Sequence, residues 1–284
     1  MSSRPSVIRQ FLKWWFGPPF SPWVSANVLI DFSAARAYLD ALAKPPGSKV
    51  SVQHLLIATV GRTLRAFPDA NARIVAGRIQ RQDAVNVVAP VNLLGHPAGR
   101  SRELSMAITT GADTRALRDL ARDARDAVRA ERTDRITNPF VRTVVRMMER
   151  SPEPLTRRAL DALDRGMRNP AVAAQVYAQA PFTTALTNPG STFKDREGLL
   201  FRGGALSLPG RLVHLGTLWG VSAVQNEVMV IDGAPAVRPA LPVLLLFDHR
   251  LIDGARAGQI LLRFHDILRD PASFFGVDGE QINA

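Results

Sequence analysis

The chain has 284 residues, 46% of them apolar and 21% charged, which is ample for a buried core in one large domain or two small ones. It contains no cysteine, which excludes disulfides, thiolate metal sites and a cysteine nucleophile and fits a reducing compartment, here expected to be cytoplasmic. The net charge is +11, yet only four of the 36 basic residues are lysines and no basic run is interleaved with aromatics, so a nucleic-acid partner is not expected. An arginine excess of this kind follows equally from a GC-rich genome or from a basic face that attracts an anionic substrate.

Residues 1–22 read as an N-terminal arm. Phe11-Leu12-Lys13-Trp14-Trp15-Phe16 is short, is broken by Lys13 and runs into Gly17-Pro18-Pro19, so it is neither a secretory signal nor a membrane span. Residues 8–16 have the makings of a short amphipathic anchor, a peripheral membrane contact. The favoured reading is a helix packed on the core or on a neighbouring subunit, because a turn or two of apolar surface binds lipid poorly.

From residue 24 onwards the pattern alternates strands and helices. Val24 to Phe32 predicts a strand, with Val28 and Ile30 against Asn27 and Asp31. Ala34 to Leu42 predicts a helix whose inner side is Ala35, Tyr38, Leu39 and Leu42. Ser51 is placed to cap a second helix with a Leu55, Leu56, Thr59, Val60 and Leu64 stripe, and it ends at Phe67-Pro68-Asp69-Ala70-Asn71. His54, inside it, reads as a structural or surface histidine. Arg73 to Leu94 predicts two strands about Gly77, the second covering Ala84 to Val91, and Leu104 to Thr109 a further one. A heavily charged helix follows from Thr114, with Leu117, Leu120, Ala124 and Val128 inward.

Residues 134–181 are punctuated by Pro139, Pro152, Pro154, Pro170 and Pro181, with none inside the segments between, which predicts three short helices. Val141, Val144, Val145 and Met148 make one stripe and Leu160, Leu163 and Met167 another, with arginines on the opposite faces. Such a segment either packs its stripes on the domain or on itself, or forms a lid or a membrane-leaning patch.

The end of the chain carries the chemistry. Asp232-Gly233 between two apolar runs is a hairpin signal. Leu244-Leu245-Leu246-Phe247 then reads as a strand buried on both faces, running into Asp248-His249-Arg250-Leu251-Ile252-Asp253-Gly254. Asp253 is suited to cap the helix behind it, whose apolar positions are Ala257, Ile260, Leu261, Phe264 and Leu268.

Phe-Asp-His-Arg-Leu-Ile-Asp-Gly resembles the His-x-x-x-Asp-Gly signature of the dihydrolipoyl acyltransferase catalytic domain, the core of 2-oxo acid dehydrogenase complexes. Its fold is shared with chloramphenicol acetyltransferase. Three further landmarks stand in the order of that family: the helix ending in Phe67-Pro68-x-x-Asn71, the Leu186-Thr187-Asn188-Pro189-Gly190 turn, and the hairpin at Asp232-Gly233 with its spacing to Asp248. The likeness covers roughly 24–130 and 182–275. It is close at the C-terminal end and diffuse at the N-terminal one. Ser222 stands where the family has a glycine, and 134–181 is an insertion relative to it.

The resemblance implies an α+β fold of two layers, a mixed sheet covered by helices, in a catalytic domain over 23–284. It implies transfer of an acyl group between a coenzyme A thioester and a thiol, hydroxyl or amine. His249 would be the general base, Thr187 the hydroxyl that stabilises the oxyanion in place of the family's serine, and Asp253 the residue that holds the loop and imidazole, in the family often through an arginine. Taken alone, His249 reads equally as a satisfied strand-end histidine and Thr187 as a residue bonded to its own turn. The resemblance further implies a homotrimer, or a cage of trimers, with active sites between subunits. It implies no metal, leaves the residues that hold the coenzyme unspecified, and puts no lipoyl group on this chain, so any lipoyl carrier or dehydrogenase partner would be a separate chain. The alternative is a catalytically silent oligomeric core or scaffold subunit of such an assembly.

Overall fold

The computed structural model describes residues 22–43, 49–96, 103–133, 135–192, 199–204 and 214–282. The Trp14-Trp15 arm lies outside the described residues. Along the chain the elements are β1 (Trp23–Asp31), α1 (Ser33–Leu42), α2 (Val52–Ala66), β2 (Ala72–Val75), β3 (Arg78–Arg81), β4 (Val87–Asn92), β5 (Leu104–Thr109) and α3 (Leu117–Arg132). Then come α4 (Pro139–Arg150), α5 (Glu153–Gly166), α6 (Pro170–Gln179), β6 (Thr184–Thr187), β7 (Thr217–Val221), β8 (Gln225–Ile231), β9 (Ala234–Asp248), α7 (Gly254–Arg269) and α8 (Pro271–Phe275).

Seven strands form one mixed sheet in the order β1-β9-β7-β6-β4-β5, with β8 paired to the first half of β9. β6 is parallel to both β4 and β7, and the remaining pairs are antiparallel. β2 and β3 make a separate two-stranded ribbon. The alternation of side chains sorts the sheet into two faces. Leu186, Trp219, Val243, Leu245 and Phe247 point into the main core, together with the inner stripes of α1, α2 and α7. Val88, Ala185, Leu218, Leu244 and Leu246 form a smaller cluster on the other face. Trp219, fully buried, stacks on Phe264 of α7 at 4.7 Å, which fixes α7, and the turn that feeds it, against the middle of the sheet.

The predicted stripes of α1 and α7 are buried as expected. Ser51 caps α2 by accepting from the His54 N–H, and the His54 Nδ1 accepts from the Ser51 N–H in return, completing a capping box. At the β8–β9 turn, Asp232 and Gly233 have φ of 51° and 79°, the left-handed pair that a two-residue hairpin requires.

Two expectations are corrected. The pair of strands about Gly77 is three strands: Ala76-Gly77 turns a tight β2–β3 hairpin, and the β-branched run predicted from Ala84 begins as a strand only at Val87. Asn71, whose side-chain amide donates to the Gln82 and Ala84 carbonyls, ties that intervening stretch down instead. The final strand is also longer than its apolar run: β9 extends back to Ala234 through Pro235, Pro239 and Pro242. Residues 234–239 have β8 alone as a neighbour, so the first two prolines fall where one edge of the strand is unpaired.

The three helices of residues 134–181 start at or beside the predicted prolines. Their packing is uneven. Met167, Ala173, Val176 and Tyr177 close a cluster with Val75 of β2, against which Phe140 and Leu163 pack. The α4 stripe, in contrast, has no fully buried residue among those described, and Met148 is 55% exposed. Glu131, with no exposed surface, secures the entry to this three-helix segment by accepting from Ser105 Oγ at 2.6 Å, the Thr137 N–H at 2.6 Å and Thr137 Oγ1 at 2.7 Å.

Candidate active site

His249 is the first residue past β9, and its half-buried ring lies 5.9 Å from that of Phe247. The backbone on both sides of it is pinned. Its own N–H donates to the Pro22 carbonyl at 2.9 Å, and the Asp248 N–H donates to the Gly216 carbonyl at 3.0 Å. The Asp248 carboxylate is buried and is gripped by Arg250, from the N–H at 2.9 Å, from Nε at 2.9 Å and from Nη2 at 2.7 Å. The Leu251 and Ile252 N–H groups close the turn on the Asp248 carbonyl. A buried carboxylate is stable only when satisfied in this way, so the residues flanking the imidazole act as its rigid mount.

Asp253 begins α7 as its N-cap and accepts from the Arg256 N–H at 2.9 Å. The Arg256 side chain turns away to Asp69, donating from Nε at 2.8 Å and Nη2 at 3.1 Å, while it stacks over Phe67 at 4.6 Å. The Phe-Pro landmark and the Asp-Gly landmark, far apart in sequence, therefore meet through one arginine. Sequence reading left open which arginine assists Asp253: it is Arg256 that meets it, through its backbone N–H, while the Arg256 guanidinium goes to Asp69. The Arg250 grip on Asp248, two residues before it in sequence, was not anticipated.

Thr187 closes β6 and is half-buried. Behind it the Gly190 N–H donates to Asn188 Oδ1, and Asn188 Nδ2 donates to Gln53 Oε1. A Cβ at Gly190 would come within 2.0 Å of the Ala223 nitrogen, so the turn is seated directly on the backbone after β7 and requires glycine there.

The register separates the two predicted site residues. Thr187 pairs with Gly220, which pairs with Leu244, so Thr187 stands five residues short of His249 along β9 and two strands away. At about 3.3 Å per residue and about 4.8 Å between strands, their Cα atoms lie roughly 19 Å apart. Thr187 shares its face with Ala185, Leu218 and Leu244, opposite the helix layer, and on that face Leu104 and Met106 of β5 are 61% and 40% exposed.

A second polar group lies at the His249 end and was not anticipated. Arg73 of β2, almost wholly buried, lies 3.7 Å over the Tyr177 ring of α6 and donates to the Phe182 carbonyl at 3.1 Å. Burial pushes its pKa down to about 10. Tyr177 Oη accepts from the His214 N–H at 3.2 Å, and burial raises the phenol pKa. The His214 imidazole is held below its ordinary pKa by burial and then by Arg250, with Asp164 and Asp248 acting in the opposite sense. Among the described residues no group of three or more His, Asp or Glu gathers to hold a metal ion, and no helix is long and apolar enough to cross a membrane.

The fold is shared with known structures. The mixed sheet with its helix layer is the α+β fold of chloramphenicol acetyltransferase, with a TM-score of 0.56 at 14% identity over 94% of this chain and all of that one. The same fold is found in the cubic core of the pyruvate dehydrogenase multienzyme complex, with a TM-score of 0.62 at 20% identity over 96% of this chain and 93% of that one. Azotobacter vinelandii dihydrolipoamide acetyltransferase, in which a serine, a histidine and an asparagine were investigated for roles in the catalytic mechanism, gives 0.62 at 19% identity over the same shares.

The particular family enters through sequence. Residues 216–276, from the glycine that receives Asp248 to the end of α8, match the model of the 2-oxoacid dehydrogenases acyltransferase (catalytic domain) family. A dihydrolipoyllysine-residue succinyltransferase component of the 2-oxoglutarate dehydrogenase complex, from Bartonella vinsonii subsp. berkhoffii, is 34% identical over 82 residues. That match spans 29% of this chain and a fifth of the relative's own length.

Proposed function

We propose that this chain transfers an acyl group between a coenzyme A thioester and a thiol, with His249 as general base and Thr187 as oxyanion donor. The observation that carries the reading is the mount of His249: an imidazole at a buried strand end, fixed on both sides by Asp248 and Arg250, inside the one segment that matches the acyltransferase family. The names of the relatives favour a dihydrolipoyl thiol as the acceptor.

His249 takes the proton from the acceptor thiol as its sulfur attacks the thioester carbonyl. The tetrahedral oxyanion accepts a hydrogen bond from the Thr187 hydroxyl. Collapse breaks the bond to the coenzyme A sulfur, and that sulfur recovers the proton from the imidazolium. Asp253 contributes by capping α7 and so fixing the turn that bears His249.

One chain cannot bring His249 and Thr187 to a single substrate across roughly 19 Å of rigid sheet. The reading therefore includes an oligomer, a trimer or a cage of trimers, in which the imidazole of one subunit meets the hydroxyl of the next. The exposed Leu104 and Met106 on the Thr187 face, and Val228, Val230 and Val237 on the β8–β9 hairpin, support such an interface.

The test is His249→Ala assayed with acetyl-CoA or succinyl-CoA and free dihydrolipoamide. Turnover should be abolished while size-exclusion chromatography shows the oligomer intact. Turnover that survives would remove His249 as the base. A wild-type protein inert towards both thioesters, and binding neither of them nor coenzyme A, would favour the scaffold reading instead.

A further inference from the structure

The helical insertion is tied to the strand end that carries His249 by an unbroken series of contacts. Arg73 stacks on Tyr177 of α6, and the Tyr177 hydroxyl accepts from the His214 N–H. Two residues on, the Gly216 N–H donates to the Thr183 carbonyl at 2.7 Å and its carbonyl accepts from the Asp248 N–H at 3.0 Å. Gly216 has no room to shift. A Cβ there would stand 2.1 Å from the Ala72 carbonyl oxygen, one residue before Arg73. Thr183 Oγ1 also bonds to Asn71, so the floor beneath this series is itself held. Two side-chain contacts at Tyr177 lead into short backbone contacts at Gly216, all in a close-packed region, the kind of connection that transmits a displacement instead of absorbing it.

We propose that the insertion is a brace for the general base, and that Tyr177 is a positioning residue for His249 acting through His214, Gly216 and Asp248. The proposal rests on the reading of His249 as the base. It gives the α4–α6 segment a part in the reaction without placing any of its residues against substrate. The aromatic ring anchors α6 to β2, and the hydroxyl sets where the 214–216 segment, and therefore the end of β9, comes to rest. Losing one hydrogen bond that aligns a catalytic group costs rate out of proportion to its effect on folding, because misplacement by a fraction of an ångström already removes near-attack geometry.

Tyr177→Phe tests it, since it keeps the ring under Arg73 and deletes only the hydroxyl. The expected result is a kcat about tenfold lower with a KM for acetyl-CoA within about twofold of wild type and an unchanged oligomer. The second readout needs no turnover: the Cε1–H resonance of His249, assigned by its loss in His249→Ala, should be displaced in Tyr177→Phe at one fixed pH. Unchanged kcat together with an unmoved resonance would overturn the brace, as would a fall in kcat no larger than the fall in folded fraction. The outcomes separate cleanly from failure of the parent reading. If His249→Ala retains turnover the base is wrong, whereas a dead His249→Ala beside an unaltered Tyr177→Phe refutes the brace alone.

Discussion

If the active site is completed between subunits, two inactive variants should repair each other. His249→Ala removes the base, and Thr187→Val removes the hydroxyl while keeping the β-branched shape that packs at the end of β6. Loss of a general base lowers the rate by about 10²–10⁴-fold and loss of one oxyanion donor by about 10²–10³-fold, so each variant alone should be nearly silent. The register then sets the expectation for a mixture. His249 and Thr187 of one chain lie roughly 19 Å apart, so each site draws its imidazole from one subunit and its hydroxyl from another. In oligomers assembled at random from equal amounts, a site receives an intact His249 with a chance of about one half and an intact Thr187 with a chance of about one half. About one quarter of all sites are then wild type, and in trimers that contain both variants one site in three is, so after selection for both, activity should rise to about a third of the wild-type value. The assay is acetyl-CoA turnover on co-expressed variants carrying different affinity tags, purified through both. Mixed oligomers no more active than their parents would refute the reasoning, because an intersubunit site must produce intact pairs.

Two further outcomes follow from individual contacts. Burial, and then the nearby Arg125, hold the His54 pKa at about 4 against 6.5 for the free group, so the folded state binds fewer protons between those values. The resulting stability is complete above pH 6.5 and is lost as pH falls towards 4, up to about 3 kcal/mol. Urea midpoints at pH 7.5 and pH 4.5 should differ less in His54→Gln, which keeps an acceptor for the Ser51 N–H but does not titrate; an equal difference would refute the assignment. For Asp253, the cap predicts that Asp253→Ala costs about 1 kcal/mol, a fall of about 2–4 °C in melting temperature, while Asp253→Asn costs much less. Equal losses in the two variants would show that its charge, not its capping oxygen, is what the fold uses.

What could be read in the sequence was whatever depends on residues close together in it. The apolar spacing of Ala257, Ile260, Leu261, Phe264 and Leu268 specifies a helix face directly, and those five positions are buried. Asp232-Gly233 specifies its hairpin because few residues accept that backbone, and prolines placed the starts of α4 and α6. The break between β3 and β4 was hidden for the complementary reason: Gln82 to Asn86 holds no glycine or proline and is tied down by the distant Asn71, so composition gave no warning that β3 intervenes before β4. The extent of β9 was hidden by its prolines, whose tolerance depends on which edges have partners, a property of the sheet and not of the segment. The Arg73–Tyr177–His214 contacts join three elements brought together only by the fold, and local periodicity carries no trace of them. His249 and Thr187 were legible as candidates through motif resemblance, but their separation follows from the register alone.

On the proposed reading, that separation makes the rigidity of each half-site the deciding property. Neither half can adjust to the other within one chain, so each must present its group already aimed when subunits meet. The same device serves both ends: a glycine that admits no side chain. Gly216 lies against the Ala72 carbonyl and receives Asp248, which sets the base, and Gly190 lies against Ser222 and Ala223, which sets the turn behind Thr187. The threonine fits this logic. Its added methyl group narrows the side chain to fewer rotamers than serine has, which harms a donor on a mobile turn and suits one on a fixed turn. With the Gly190 contact holding the turn, a threonine hydroxyl in the proposed role would lose little in aim relative to serine and gain in preorganisation.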